Sequence, residues 1–153
     1  MDLILWRHAD ALDAEPGNDD MTRELSDKGH RQAARMAKWL DRQLPQGARI
    51  FCSPARRAEQ TVAHLGRKFK IRDELSPQCD HHGLLTLVQW PHAKMTALVV
   101  GHQPALGHTI AELFHLPHDT VGVRKGSIWW MRARQREDQI QTQLWTIQLP
   151  ELL

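Results

Sequence analysis

The sequence predicts a three-layer α/β/α sandwich around a mostly parallel sheet, and three observations predict it. Short apolar runs at 3–6, 50–52 and 97–100 each break abruptly into polar residues, as buried strands do at a sheet edge. Between them lie stretches whose apolar residues recur at helical spacing. The last third changes to strand-like runs separated by a charged turn. The resulting order, β-α-β-α-β-α-β-β, is that of helices covering both faces of one sheet.

Each element has its own signal. Residues 2–6 form a buried strand, followed by a long polar loop over 10–25 that holds Pro16, Gly17 and Asn18. Ser26 is an N-cap and Asp27 suits the positive start of a helix. Ala33, Ala34, Met36, Ala37, Leu40 and Leu44 give that helix one buried stripe, and Pro45 and Gly47 end it. Residues 49–52 are a second strand. Ser53 as N-cap with Pro54 at the first helical position then predicts a helix through Ala58, Val62 and Leu65 to about Gly66. Residues 70–75 read as a third, poorer strand, and 76–91 as irregular with one short helix over 84–90. The clearest strand is 96–100. It is broken by Gly101-His102-Gln103-Pro104, after which Leu106, Ile110, Leu113 and Phe114 line a helix ending near His115. Strands over 127–133 and 140–148, joined by a turn over 134–139, predict a hairpin at a sheet edge. No repeat, low-complexity segment or linker divides the chain, so residues 1–153 are expected to be a single domain.

Composition narrows the function. At 153 residues, 41% hydrophobic and 25% charged, the chain is an ordinary globular one. Its net charge of +2 comes from basic residues interspersed with acids, which argues against a nucleic-acid partner. The start Met1-Asp2-Leu3 offers none of the marks of a signal peptide, so none is expected, and no apolar run is long enough to span a membrane. Cys52 and Cys79 form no disulfide framework, so a reducing, cytoplasmic setting is expected, with Cys52 as a core residue. Ten histidines invite a metal reading, densest at Cys79-Asp80-His81-His82. Adjacent histidines do not share a helix face, no second ligand pair stands at zinc-like spacing, and neither His108 nor His115 has an i,i+4 histidine. No metal and no cofactor are therefore expected, and most histidines are assigned to the surface.

The chemistry concentrates at strand ends. The first strand exits into Arg7-His8, the second into Ser53-Pro54-Ala55-Arg56-Arg57, and the third into Gly101-His102. Right-handed crossovers put these ends on one edge, where open α/β sheets bind ligands. Two guanidiniums and two imidazoles there suit a tetrahedral oxyanion, and a neutral imidazole is a nucleophile toward phosphorus. Arg57 can fold toward the strand ends from the first turn of its helix. Arg56, about 100° around the helix, is expected to be solvated.

These residues carry a resemblance. Arg7-His8-Ala9 is similar to the Arg-His-Gly signature of the histidine phosphatase (phosphoglycerate-mutase-like) superfamily. Ser53-Pro54-x-x-Arg57-Ala58-x-Gln60-Thr61 resembles its second motif, and Gly101-His102 its C-terminal histidine. Small size, Arg7-His8-Ala9-Asp10-Ala11, Asp20-x-x-Arg23-x-Leu25-Ser26-x-x-Gly29 and Gly101-His102-Gln103-Pro104 resemble the SixA-type phosphohistidine phosphatases in particular. There are two departures. Ala9 replaces the usual glycine, which requires an ordinary negative φ there. The region corresponding to the lid of larger members, 73–83, is short, so a minimal domain without a large lid is expected.

The resemblance implies that His8 becomes a phosphohistidine while Arg7, Arg57 and His102 bind the phosphoryl oxygens, and that inorganic phosphate leaves without help from a metal. Glu74, Asp80 and Asp10 are the candidates for a general acid, and the sequence does not choose among them. A short cover suits a phosphorylated side chain on a partner protein, such as a phosphotransfer domain or phosphocarrier, better than an enclosed metabolite. Trp129 and Trp130 are candidates for a docking rim or for core residues. The rival readings are a phosphatase for a small phosphomonoester and, outside enzymes, a phosphate-binding docking module. A mutase is the weaker reading, since it would need its phosphoenzyme shielded from water.

Overall fold

A computed structural model describes all residues, 1–153. Six strands make one sheet in the order β3-β2-β4-β1-β5-β6. They are β1 (Asp2–Arg7), β2 (Arg49–Cys52), β3 (Lys70–Ile71), β4 (Ala97–Gly101), β5 (Ile128–Arg136) and β6 (Gln139–Gln148). The first four in spatial order are mutually parallel, whereas β5 runs antiparallel to β1 and β6 antiparallel to β5. Four helices complete the layers: α1 (Asp27–Gln43), α2 (Arg56–Ala63), α3 (His81–Val88) and α4 (Ala105–Leu113).

The strand period of two explains why there are two cores. On β1, Ile4 and Trp6 face one side, where Met36, Ala37 and Leu40 of α1 and Ala58 and Val62 of α2 bury them. Leu3 and Leu5 face the other side, against Leu84 and Val88 of α3 and Leu106 and Ile110 of α4. Residues of β4 divide the same way, Leu98 and Val100 to the first core, Ala97 and Val99 to the second. Central strands buried on both faces read as continuous apolar runs, which is why the sequence marks them well.

Ser26 caps α1 as expected, its Oγ accepting from Gly29 N–H at 3.0 Å. The second helix differs. It begins at Arg56 rather than at Pro54, its N-cap is Ala55, and no side chain caps it. Ser53 Oγ instead accepts from Ala55 N–H and lies 2.7 Å from His102 Nε2, so the Ser-Pro pair builds a turn before the helix. The third strand is only Lys70–Ile71, because the chain turns into a 3₁₀ segment at Asp73–Leu75. The short helix expected over 84–90 is α3, starting three residues earlier where the Asp80 carboxylate accepts from His82 and Gly83 N–H. The final hairpin is longer than expected, with strands reaching Arg136 and Gln139 and Glu137 turning at φ 53°. Its charged tip projects as a solvated ribbon, so polarity there marks exposure rather than a loop. Trp130 belongs to the core and donates its indole N–H to Asp2, and Trp129 packs on the second core; neither forms an exposed rim.

Candidate active site

Register fixes the site. Arg7 pairs with Gly101 and Cys52 with Val100, so the residues next in chain, His8, His102 and Ser53, meet at one edge. Two backbone bonds hold them there, His8 N–H to Gly101 C=O at 3.1 Å and Ser53 N–H to Val100 C=O at 3.0 Å. The rings of His8 and His102 stand 5.1 Å apart. His8, Arg57 and His102 are 5%, 4% and 4% exposed, and Arg7 is half-buried. The structure thus brings together all four residues that the strand ends singled out. Arg56 is exposed, as its position on the helix implies.

A hydrogen bond sets the His8 tautomer. His8 Nδ1 lies 2.8 Å from the Ala9 carbonyl, which can only accept, so Nδ1 carries the proton and Nε2 keeps its lone pair. Ser53 Oγ accepts from Ala55 N–H and pairs with His102 Nε2, which leaves His102 Nδ1 buried without a partner. The Nε–H groups of Arg7 and Arg57 are likewise buried and unpaired. An unmet buried donor costs about 1–3 kcal/mol, so the two guanidinium donors favour an incoming acceptor.

Both imidazoles are neutral at physiological pH. Burial, chiefly, and then the positive charges of Arg57, Arg7 and Lys125 push His8 down to about 4, against the opposing bond to the Ala9 carbonyl. Burial, then His8 and Arg57, push His102 down to about 3, with Asp20 opposing. A histidine depressed on folding binds protons more readily in the unfolded chain, so stability rises with pH. The contribution is complete above the unfolded value of 6.5 and is lost as pH falls toward about 4 for His8 and about 3 for His102. The expected outcome is a urea midpoint that drops steadily below about pH 6.5. Replacing His8 by glutamine should flatten part of that slope.

The first loop braces the site. Ala9 is absent from the residues with positive φ, so its methyl is tolerated, and it packs with Leu25 and Ala33. Ala9 N–H donates to Thr61 Oγ1, and Leu25 N–H to Gln60 Oε1, which gives the second motif a bracing role. A Cβ at Gly29 would lie 1.9 Å from the Asp10 carbonyl oxygen. Gly29→Ala is therefore expected to cost roughly 1–3 kcal/mol in denaturant unfolding and to displace the segment carrying His8.

Several partners were not legible beforehand. The Asp20 carbonyl and carboxylate accept from both terminal nitrogens of Arg57, at 2.9 and 3.1 Å. Burial would raise Asp20, but Arg23 and Arg57 outweigh it and hold the carboxyl below its ordinary value. The site is thus less open than a missing lid implies, because the turn at Asp20–Thr22 lies over Arg57. Arg7 is anchored to the Val123 carbonyl at 2.7 Å. Asp20 had a signal in its motif, whereas Val123 and Lys125 sit in an irregular segment with none.

The three acid candidates differ. Asp80 caps α3, and those two amides keep it ionised, below the ordinary carboxylate value. Asp10 accepts from the Ser26 hydroxyl and lies 3.8 Å from Lys125 Nζ. Glu74 is exposed and lines, with Asp80, Leu84 and His102, a narrow crevice of about 10 Å³.

Fold and site together define an α/β protein with a mostly parallel sheet that gathers two arginines and two histidines at its strand ends. Residues 3–80 match the model of the histidine phosphatase superfamily (branch 1), and the chain belongs to that superfamily. It is 32% identical over 123 residues to the phosphohistidine phosphatase SixA of Escherichia coli K12, covering 74% of each chain. A solved structure of the protein histidine phosphatase SixA with tungstate superposes with a TM-score of 0.75 at 27% identity, covering 99% of both chains. A mycobacterial glucosyl-3-phosphoglycerate phosphatase shares the fold, with a TM-score of 0.71 at 18% identity over 95% of this chain and 97% of that one. No helix is long and apolar enough to cross a membrane.

Proposed function

We propose that the chain hydrolyses phosphohistidine on a partner protein through a phosphoenzyme at His8. One observation carries the reading: a neutral imidazole with a free Nε2 lone pair stands beside two buried, unpaired guanidinium N–H donors and the unpaired Nδ1 of His102. The SixA relatives support the phosphohistidine specificity, and the tungstate held by one of them is a tetrahedral oxyanion of the kind this pocket suits.

In the first step His8 Nε2 attacks phosphorus, the substrate's P–N bond breaks, and its imidazole leaves with a proton taken from solvent or an acid. Arg7, Arg57 and His102 meet the charge on the equatorial oxygens. The dianion exchanges with the Asp20 carboxylate on Arg57, so the turn over the site yields as substrate enters. Water then attacks the phosphohistidine, N–P cleavage returns His8, and inorganic phosphate leaves. Imidazole is a better leaving group than an alkoxide, so it needs less help from an acid. Glu74, lining the crevice to His102 without the capping duty of Asp80, is the residue we assign to that role. Two free cysteines, one buried, fit a reducing cytoplasm.

The test compares turnover of a phosphohistidine-bearing phosphotransfer domain or phosphocarrier with that of a panel of sugar phosphates and nucleotides. The expected result is a kcat/KM that favours the phosphoprotein by orders of magnitude. Preference for a small phosphomonoester would replace this reading with the metabolite phosphatase. Tight binding of phosphoprotein without turnover would replace it with the docking module.

A further inference from the structure

Away from the strand ends, three separate elements gather the histidines that sequence spacing kept apart. His81 and His82 open α3, with rings 4.1 Å from each other despite being adjacent in a helix. His108 and Glu112, one turn apart, lie on α4, which packs against α3. A 3₁₀ turn at His118–Thr120 packs on α4 and adds His118 and Asp119.

The contacts are specific. His81 is only 3% exposed, and its Nε2 is hydrogen-bonded to Glu112 Oε2. Ligand-capable atoms of His81, His82 and Glu112 all lie within 4.8 Å of one another. The ring of His118 stands 5.0 Å and that of His108 5.9 Å from His81. His108 stacks on His118, and its Nε2 meets Asp119 Oδ1 at 2.8 Å.

We propose that His81, His82 and Glu112 bind a divalent transition-metal ion of the zinc type, with His118 or His108 in reach as a fourth ligand. Imidazole and carboxylate together suit zinc, copper, nickel or cobalt rather than calcium or magnesium. Ligands about 2.0–2.1 Å from zinc stand roughly 3.4 Å apart around a tetrahedron. The two ligands that would move to close the present spacing are at solvent-accessible positions, His82 exposed and the Glu112 side chain 41% exposed. His81 stays as the fixed, buried ligand, exchanging its hydrogen bond to Glu112 for the metal. The ion clamps α3 to α4 beside Asp80 and the crevice that leads to His102. It takes no part in the chemistry at His8, so the site stands or falls independently of the proposed activity.

The experiment titrates tag-free, chelator-treated protein with Zn²⁺ by calorimetry and with Co²⁺ by its visible absorption, and follows the unfolding midpoint with and without metal. The expected result is one ion per chain and a raised midpoint. His82→Ala and Glu112→Ala, at solvent-accessible positions, should each weaken binding about 10-fold or more. The control is the double variant His30→Ala, His64→Ala, which removes the other histidine pair, where His30 Nδ1 and His64 Nε2 lie 3.0 Å apart. It should bind as the parent does. Absence of saturable binding, parental affinity in either His82→Ala or Glu112→Ala, or loss of the ion in the His30/His64 double variant would overturn the site.

Discussion

His8→Ala should abolish phosphatase turnover, lowering kcat by at least about 10⁴-fold, as removal of a covalent nucleophile does in other enzymes. Oxyanion binding should survive, because Arg7, Arg57 and His102 are anchored independently of the His8 ring. Arg7 is held by the Val123 carbonyl, Arg57 by Asp20 and His102 by Ser53. Removing the imidazole also removes the partner that pushes His102 down. Tungstate or phosphate affinity measured by calorimetry should therefore stay within a small factor of the parent protein. A variant retaining most of its activity would show that phosphorus is attacked by something other than His8.

Arg57→Ala should damage both binding and turnover, and it is the second large effect. A guanidinium contributing charge-assisted bonds to a phosphoryl group in a dry site acts like an oxyanion-hole donor, whose loss costs about 10²–10³ in kcat. Arg57 is 4% exposed and is the larger of the two arginine influences on His8. It also fastens the Asp20 turn over the site. Truncation frees that turn and leaves Arg7 as the remaining arginine at the anion. Arg57→Lys should rescue little, because a point charge does not reproduce a planar fork. Substrate affinity and kcat both unchanged in Arg57→Ala would remove Arg57 from the site.

The sequence made the frame legible where burial is one-sided or complete. Continuous apolar runs marked β1, β2 and β4, and the stripe from Ala33 to Leu40 marked α1. Those strands lead into His8 and His102, and Arg57 stands on the first turn of the helix after β2, so reading the strands and that helix placed all three at one edge. What escaped depends on tertiary contacts. Ser53 followed by Pro54 has every local mark of a helix start, yet the hydroxyl is more valuable to His102 and the helix begins later. Asp20 was visible only as part of a pattern, and its ion pair with Arg57 crosses 37 residues of chain. Spacing rules miss the imidazole cluster because its members come from α3, α4 and the 3₁₀ turn at His118–Thr120, which meet only in the fold. Arg136 and Gln139 were assigned to a turn by polarity, although an exposed ribbon of hairpin is polar for the same reason that a loop is.

The central claim is that phosphorus passes through the His8 ring. The most direct measurement is rapid mixing of the protein with a radiolabelled phosphohistidine donor, an alkaline denaturing quench, and mapping of the label by peptide sequencing. An alkali-stable, acid-labile label on His8 that forms and decays at rates matching turnover is expected. Full turnover with no label at any time, or the same label in His8→Ala, would contradict it.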